Sequence, residues 1–114
     1  MGKDDTMAKL EQTLYGDIYA IARRIEDGIM GGSISASLED SSFFCQGEAK
    51  CCVRVFERYS YMGGNRVSLS VTLFQNGNGP VMLSAITSGG SQALFWKINT
   101  VGEKAFLDKL REIL

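Results

Sequence analysis

Apolar residues recur every three or four positions near the start of the chain. The set is Leu10, Leu14, Ile18, Ile21, Ala22, Ile25 and Ile29. This spacing places the whole set on one side of a helix, and three glycines between positions 28 and 32 follow as stop signals. We therefore predict an amphipathic helix from residue 6 to about residue 27, with Gly16 as a local cost within it.

After residue 32 the apolar period changes to two, which is typical of half-buried strands. Alternation of apolar residues with serines predicts a strand over residues 33–38, and the polar residues 39–42 are predicted to form a turn. A second strand is predicted over residues 51–61, which are rich in β-branched and aromatic side chains. The glycines within residues 62–65 favour a tight reversal after it.

Three further strands are predicted in the rest of the chain. Residues 67–73 and 81–87 alternate between apolar and polar side chains, and the Asn-Gly repeat at residues 76–79 is the strongest hairpin signal in the sequence. The Ser-Gly-Gly-Ser segment at residues 88–91 predicts another turn. Residues 93–98 are predicted to form the last strand.

A second helix is predicted to begin at a capping box, in which Thr100 and Glu103 satisfy each other's backbone N–H groups. The predicted order is α-β-β-β-β-β-α. Short turns make consecutive strands antiparallel neighbours, and two one-sided helices need one sheet face to cover. The predicted fold class is therefore α+β: one two-layer domain over residues 1–114, with an antiparallel meander of about five strands and both helices on one face. The predicted core between sheet and helices is Val67, Leu69, Val71, Leu73, Val81, Leu83, Leu94, Trp96 and Ile98.

Composition and charge exclude some classes of partner. The 114 residues are 45% apolar, which is typical of one globular domain, and 12 basic against 13 acidic residues give a net charge of −1. Such a chain has no global field to attract a nucleic acid. No apolar run approaches the roughly 20 residues of a membrane helix, and the charged start lacks the apolar region of a signal peptide. We expect a cytoplasmic protein with no membrane or nucleic-acid partner.

Candidate catalytic and metal-binding groups are scarce. There is no histidine, which removes the commonest general base and the commonest zinc ligand. The adjacent Cys51 and Cys52 point to opposite faces of a strand and so cannot share one metal ion, and Cys45 lacks metal-site spacing to them. We therefore predict no catalytic residue, no metal and no cofactor, and the sequence argues against an enzyme without excluding one.

The sequence between residues 67 and 96 contains no charged side chain, although a sheet covered on one face normally carries charges on the other. By alternation the uncovered face is predicted to hold Ser68, Ser70, Thr72, Phe74, Met82, Ser84, Ile86 and Phe95. This mixture is too polar for a core and too apolar for open water. It is suited to a homodimer interface or a shallow ligand groove, and the alternative is a plain wetted face.

Two segments are candidates for binding an anionic or planar ligand. Arg54, Phe56 and Arg58 share one strand face, where they can form paired hydrogen bonds and stack. The turn formed by Ser88, Gly89, Gly90 and Ser91 can present backbone N–H groups to an anion. The alternatives are a solvated strand with Glu-Arg pairs and a simple hairpin turn.

Three short segments resemble a known family. They are residues 57–61 (ERYSY), 63–68 (GGNRVS) and 86–91 (ITSGGS). From about residue 28 to residue 114 the chain resembles a family of small bacterial proteins of unknown function. The resemblance implies a bacterial, cytosolic origin and carries over no catalytic residue.

The leading hypothesis is a non-enzymatic binding or protein-interaction module, homodimeric through the uncharged sheet face. The alternative is a binding protein for a small anionic molecule, or a histidine-free enzyme, that uses residues 88–91 with Arg54 and Arg58. A third class, nucleic-acid binding through the strand between Lys50 and Arg66, predicts association that weakens strongly with salt.

Overall fold

The computed structural model describes residues 7–32, 36–60, 65–89 and 110–114, and within them five strands and one long helix. The elements are β1 (Met7–Leu14), α1 (Ile18–Gly32), β2 (Ser37–Gln46), β3 (Ala49–Ser60), β4 (Asn65–Asn76) and β5 (Val81–Gly89). A short C-terminal helical turn follows at residues 110–113.

The five strands form one antiparallel sheet in the order β1-β5-β4-β3-β2. Strands β2 to β5 make a meander of consecutive hairpins, and β1 lies beside β5 at the far edge. The α+β class, the five-stranded antiparallel sheet and the presence of N-terminal and C-terminal helices are confirmed.

The predicted start of the N-terminal helix is wrong, because residues 7–14 form strand β1 and the helix begins at Ile18. Leu10 and Leu14 are four residues apart, a spacing that places them on one side of a helix and also on one side of a strand. Pairing with β5 settles the ambiguity: Leu10 lies opposite Ala85, and Leu14 opposite Val81. The order of the described elements is therefore β-α-β-β-β-β, followed by the helical turn at residues 110–113.

The predicted turn at residues 39–42 is also wrong, since these residues belong to β2. They are polar because β2 is an edge strand whose residues 39–46 are exposed. A register shift between Leu38 and Asp40 leaves Glu39 without a partner on β3. Ser88 and Gly89 belong to β5 instead of a turn, whereas the predicted strand at residues 93–98 and the capping box at Thr100 lie outside the described residues.

The core lies between the sheet and the helices. Six of the predicted core residues are buried, with at most 2% of their surface exposed: Val67, Leu69, Val71, Leu73, Val81 and Leu83. The helix contributes Ile18, Ile21, Ala22, Ile25 and Ile29, and the C-terminal turn contributes Leu110 to the same cluster. Leu94, Trp96 and Ile98 lie outside the described residues.

The first turn of α1 is anchored by two polar side chains. Asp17 caps the helix, because its carboxylate accepts a hydrogen bond from the Ala20 N–H at 3.0 Å. The buried Gln75 amide accepts from the Ile18 N–H at 3.2 Å and donates to the carbonyl oxygens of Gly16 and Gly79 at 2.8 and 2.9 Å. One side chain therefore ties the helix start to both the β1–α1 turn and the β4–β5 hairpin.

The C-terminal turn packs against α1 at Gly28. A Cβ atom at this position would lie 2.5 Å from Cγ1 of Ile113 and 2.6 Å from its Cδ1. Gly31, on the same helix, has open space around the corresponding position. The absence of a side chain at Gly28 is what lets Ile113 approach the helix so closely.

We expect Gly28→Ala to destabilise the protein by about 1 to 2 kcal/mol, because the methyl overlap with Ile113 outweighs the roughly 1 kcal/mol gain in helix propensity. Gly31→Ala is the matched control, with the same propensity gain and no contact, and should be neutral or stabilising. Urea denaturation measures both variants. Combining Gly28→Ala with Ile113→Ala should cost less than the sum of the two single changes; strict additivity would contradict this contact.

Candidate functional site

The side of the sheet opposite α1, called the open face below, carries a row of apolar side chains. Strand pairing aligns Thr13, Met82, Phe74, Cys51 and Phe44 in one line across all five strands. Met82 is 51% exposed, Phe74 42% and Phe44 59%. Three apolar side chains of this row are therefore exposed, and Cys51 between Phe74 and Phe44 is half-buried.

Two parallel rows continue the open face with small polar and β-branched side chains. One row is Glu11, Ser84, Thr72, Val53 and Ser42. The other is Lys9, Ile86, Ser70, Val55 and Asp40. In both rows the three central strands are uncharged, and the charges lie on the edge strands β1 and β2. The open face thus has an uncharged centre with a charged margin.

A cluster of charged side chains closes one end of the open face. Arg66 Nη2 lies 2.6 Å from Glu57 Oε1 and 3.7 Å from Glu39 Oε2, and its guanidinium lies 5.6 Å from the centre of the Tyr59 ring. Beside it, the Ser68 and Ser88 hydroxyls are 3.1 Å apart. These groups contact one another, so the described residues at this end form a polar boundary of the open face.

Seven of the eight residues predicted for the uncovered face lie on the open face, as expected from their alternation. They are Ser68, Ser70, Thr72, Phe74, Met82, Ser84 and Ile86, whereas Phe95 lies outside the described residues. The contributions of β1 and β2 were missed, because residues 7–14 were predicted as helix, residues 39–42 as turn and residues 43–46 as no element. Their role in an interface stays a prediction.

A shallow depression marks the corner of the open face nearest β1. Its volume is about 490 Å³, and Thr13, Thr72, Phe74 and Met82 are among the residues that line it. The Thr13 hydroxyl donates to the Met82 sulfur at 3.7 Å, which holds the thioether over this corner. A methionine beside an aromatic ring gives the depression a surface that adapts to an apolar side chain.

Arg54, Phe56 and Arg58 share the opposite, helix-facing side of β3. Phe56 is fully buried in the core, so its ring does not reach a ligand. Arg54 Nε donates to Glu26 Oε1 of α1 at 3.2 Å, and its Nη1 lies 3.0 Å from the Cys52 sulfur. Burial lowers the pKa of Arg58 from its usual value. The Arg54 guanidinium therefore links strand β3 to helix α1.

The described residues of the predicted anion site, Ser88 and the two arginines, lie on opposite sides of the sheet. Ser88 pairs with Ser68 on the open face, and Arg54 and Arg58 lie on the other side of the sheet. Gly89 continues β5 with φ of 128°, and a Cβ atom there would lie 2.6 Å from the Arg66 carbonyl oxygen. This glycine is explained by close strand approach. Gly90 and Ser91 lie outside the described residues.

A second concavity, the helix-side groove, lies between α1 and the β2–β3 hairpin. It has a volume of about 360 Å³, and Tyr19, Phe43 and Cys52 are among its lining residues. The Tyr19 and Phe43 rings lie 5.0 Å apart, and Lys50 Nζ lies 5.8 Å from the Tyr19 ring centre. Burial raises the pKa of the Cys52 thiol, which keeps it protonated. The spacing of residues along the sequence did not predict that α1 would pack against the β2–β3 hairpin here.

Two classes of site are not found in the described part of the chain. No three His, Cys, Asp or Glu side chains there are grouped so that they could hold a metal ion. Among the same residues, no helix combines the length and apolar character needed to cross a membrane.

Comparisons with known proteins identify a family and a fold. Residues 7–114 match the profile of a family described as being of unknown function, a longer match than the resemblance from residue 28. The crystal structure of the Saccharomyces cerevisiae Ran-binding protein Mog1p is 12% identical with a TM-score of 0.50, over 98% of this chain and 70% of that one. A hypothetical protein from Helicobacter pylori is 11% identical with a TM-score of 0.48, over 96% and 88%. No curated protein sequence matches the chain.

Proposed function

The chain belongs to DUF6054, a family of unknown function, and we propose that it is a non-enzymatic interaction module that binds a protein through the open face. The proposal rests on the apolar row of Met82, Phe74, Cys51 and Phe44, in which every residue except the half-buried Cys51 is exposed. A monomeric protein rarely leaves a contiguous apolar patch across a whole sheet, because burying it releases free energy in proportion to its area.

The dimensions of the open face suit a protein partner better than a small molecule. Strands about 4.8 Å apart and about 30 Å long give five strands a face of roughly 600 Å² in projection. A stable interface buries about 800 Å² of accessible surface on each partner, so the two areas are of the same order. The uncharged centre and charged margin also match the apolar core and polar rim of protein interfaces.

A second copy of the chain is the partner that this surface fits. Two sheets pack face to face at about 10 Å when their inner faces carry apolar and small side chains. The open face has that composition on its three central strands, and its charged residues Lys9, Glu11 and Asp40 lie on the edge strands. A two-fold arrangement would set the uncharged centre of one copy against the uncharged centre of the other.

The fold itself is compatible with this role. Mog1p, which shares the fold, is described as Ran-binding, so this architecture serves protein recognition in at least one other chain. The competing idea of an anion site loses support, because Ser88 and the two arginines lie on opposite sides of the sheet.

Native mass spectrometry over a range of protein concentrations tests the proposal. The expected result is a mass that is an even multiple of the 12.5 kDa chain and that falls on dilution. A single-chain mass at every concentration would remove the second copy as partner.

A further inference from the structure

The two ends of the open face differ. Its apolar row lies near the β2–β3 and β4–β5 turns, and the charged cluster around Arg66 lies at the other end. Between them lie the middle row, which runs from Glu11 to Ser42, and the outer row, which runs from Lys9 to Asp40. Strand β4 is the third of the five strands and crosses each row at its centre. This order determines how a second copy can meet the face.

A two-fold axis that runs across the strands, along the middle row, sets each strand against its own copy and exchanges the apolar row with the outer row. It brings Glu11 against Glu11 of the second copy, and the Asp40 carboxylate against Phe44. Contact between like charges and burial of a carboxylate against a ring both oppose association. Moving the axis towards the apolar row relieves these contacts only by sliding the two faces out of overlap, which removes area that a stable interface needs.

A two-fold axis that runs along the strands, over β4, sets each row against its own copy and exchanges the two edge strands. Phe44 then meets the β1 end of the apolar row. Asp40 meets Lys9 in the outer row, and Glu11 meets the uncharged Ser42 in the middle row. Within these three rows no like charges are brought together, and the faces overlap along their whole length.

The charged cluster at the far end of the face is compatible with the axis along the strands. Sheets packed face to face cross at about −30°, so the two copies of Arg66, at one end of β4, lie to either side of the axis and apart from each other. The charge of Arg66 is also offset within its own chain by Glu57 at 2.6 Å.

We infer that two copies meet about a two-fold axis parallel to the strands, and that Phe44 of each copy enters the depression of the other. The depression, of about 490 Å³, lies at the β1 end of the open face, where Thr13, Phe74 and Met82 are among its lining residues. Phe44 lies at the β2 end of the same row and is 59% exposed. A phenyl ring packs favourably against a thioether and a second ring. This arrangement rests on the open face being the interface, as proposed above.

Phe44→Ala should raise the dissociation constant of the assembly about a hundredfold, because the axis repeats the contact twice and a buried anchor ring contributes about tenfold. Phe43→Ala is the matched control, since Phe43 is also an exposed phenylalanine but lines the helix-side groove. It should leave the dissociation constant unchanged. Sedimentation velocity measures both variants, and equal association by the two would overturn the role of Phe44.

Cysteine cross-linking distinguishes the two orientations of the axis while Phe44 stays in place. Positions 11 and 42 lie four strands apart in one chain, about 19 Å, but meet across an axis along the strands at the sheet spacing of about 10 Å. Glu11→Cys and Ser42→Cys are made singly and together, in a protein that also carries Cys45→Ser and Cys51→Ala. A bis-maleimide that spans the shorter distance and not the longer one is then added.

The double variant is expected to form linked dimers, and neither single variant is. Linking by each single variant would place the axis across the strands and overturn the inference. If the unaltered protein assembles and Ser70→Arg prevents assembly, but the double variant does not link, the open face is the interface and the inferred arrangement is wrong. If the unaltered protein is a single chain at every concentration, both the proposed self-association and the arrangement are wrong.

Discussion

Replacing Ser70 by arginine is expected to halve the mass of the self-associated protein. Ser70 lies at the centre of the open face, between Val55 and Ile86, where a charge would be buried without a partner in a face-to-face contact. An uncompensated buried charge costs about 3 kcal/mol or more, which weakens association by more than about a hundredfold. Sedimentation velocity at several concentrations measures the change.

Ala20→Arg is the matched control for Ser70→Arg. Ala20 is exposed on α1, so the substitution adds the same charge on the other side of the molecule. It should leave both the mass and the free energy of unfolding within about 0.5 kcal/mol of their original values. Equal dissociation by both variants would point to net charge as the cause, and an undisturbed Ser70→Arg assembly would exclude the open face as an interface.

Replacing Gln75 by leucine is expected to destabilise the fold by roughly 3 kcal/mol, the largest loss of stability that we expect from a polar side chain here. The buried amide makes hydrogen bonds to Gly16, Ile18 and Gly79. Leucine has similar volume, so the cost comes from the lost hydrogen bonds and above all from the buried Ile18 N–H, which is left without the Gln75 acceptor. Urea denaturation gives the free energy of unfolding.

Gln12→Leu is the corresponding control, because Gln12 is an exposed glutamine on β1. Its effect should stay within about 0.5 kcal/mol. If Gln75→Leu were equally mild, the amide would not be the tie between the helix start and the two turns. A large effect of Gln75→Leu on mass instead of stability would link these turns to assembly, which our account does not predict.

The three inner strands of the sheet could be predicted from sequence, and the two edge strands could not. Strands β3, β4 and β5 have strict alternation and a strong Asn-Gly turn, so a single period explains them. Strand β1 was predicted as helix because the spacing of Leu10 and Leu14 fits both the helical and the strand period. Only pairing with β5 decides between them. Strand β2 was predicted only in part, because an edge strand is polar and resembles a turn in composition.

The residues of the open face could likewise be predicted only in part. The placement of Ser68, Ser70, Ser84 and Ile86 follows directly from alternation on strands β4 and β5. Whether Arg54 shares a face with Ser88 depends on the register between β3 and β4, which the sequence of the connecting loop leaves open. The row that joins Phe44 to Met82 spans four strands and exists only once the strand order is known.

The three cysteines report directly on whether the open face is the docking surface. Cys51 lies in the apolar row of the open face, Cys45 is exposed on the helix side, and Cys52 is buried with a raised pKa. We would measure the rate of alkylation at each thiol by peptide mass spectrometry, at low and high protein concentration, in the unaltered protein and in Ser70→Arg. Thiolate access sets this rate, and Cys52 serves as the unreactive reference.

If the open face is the docking surface, Cys51 becomes protected as concentration rises in the unaltered protein and stays reactive in Ser70→Arg. If Cys51 reacts at one rate at every concentration and equally fast in both proteins while the protein is assembled, the open face is not the interface.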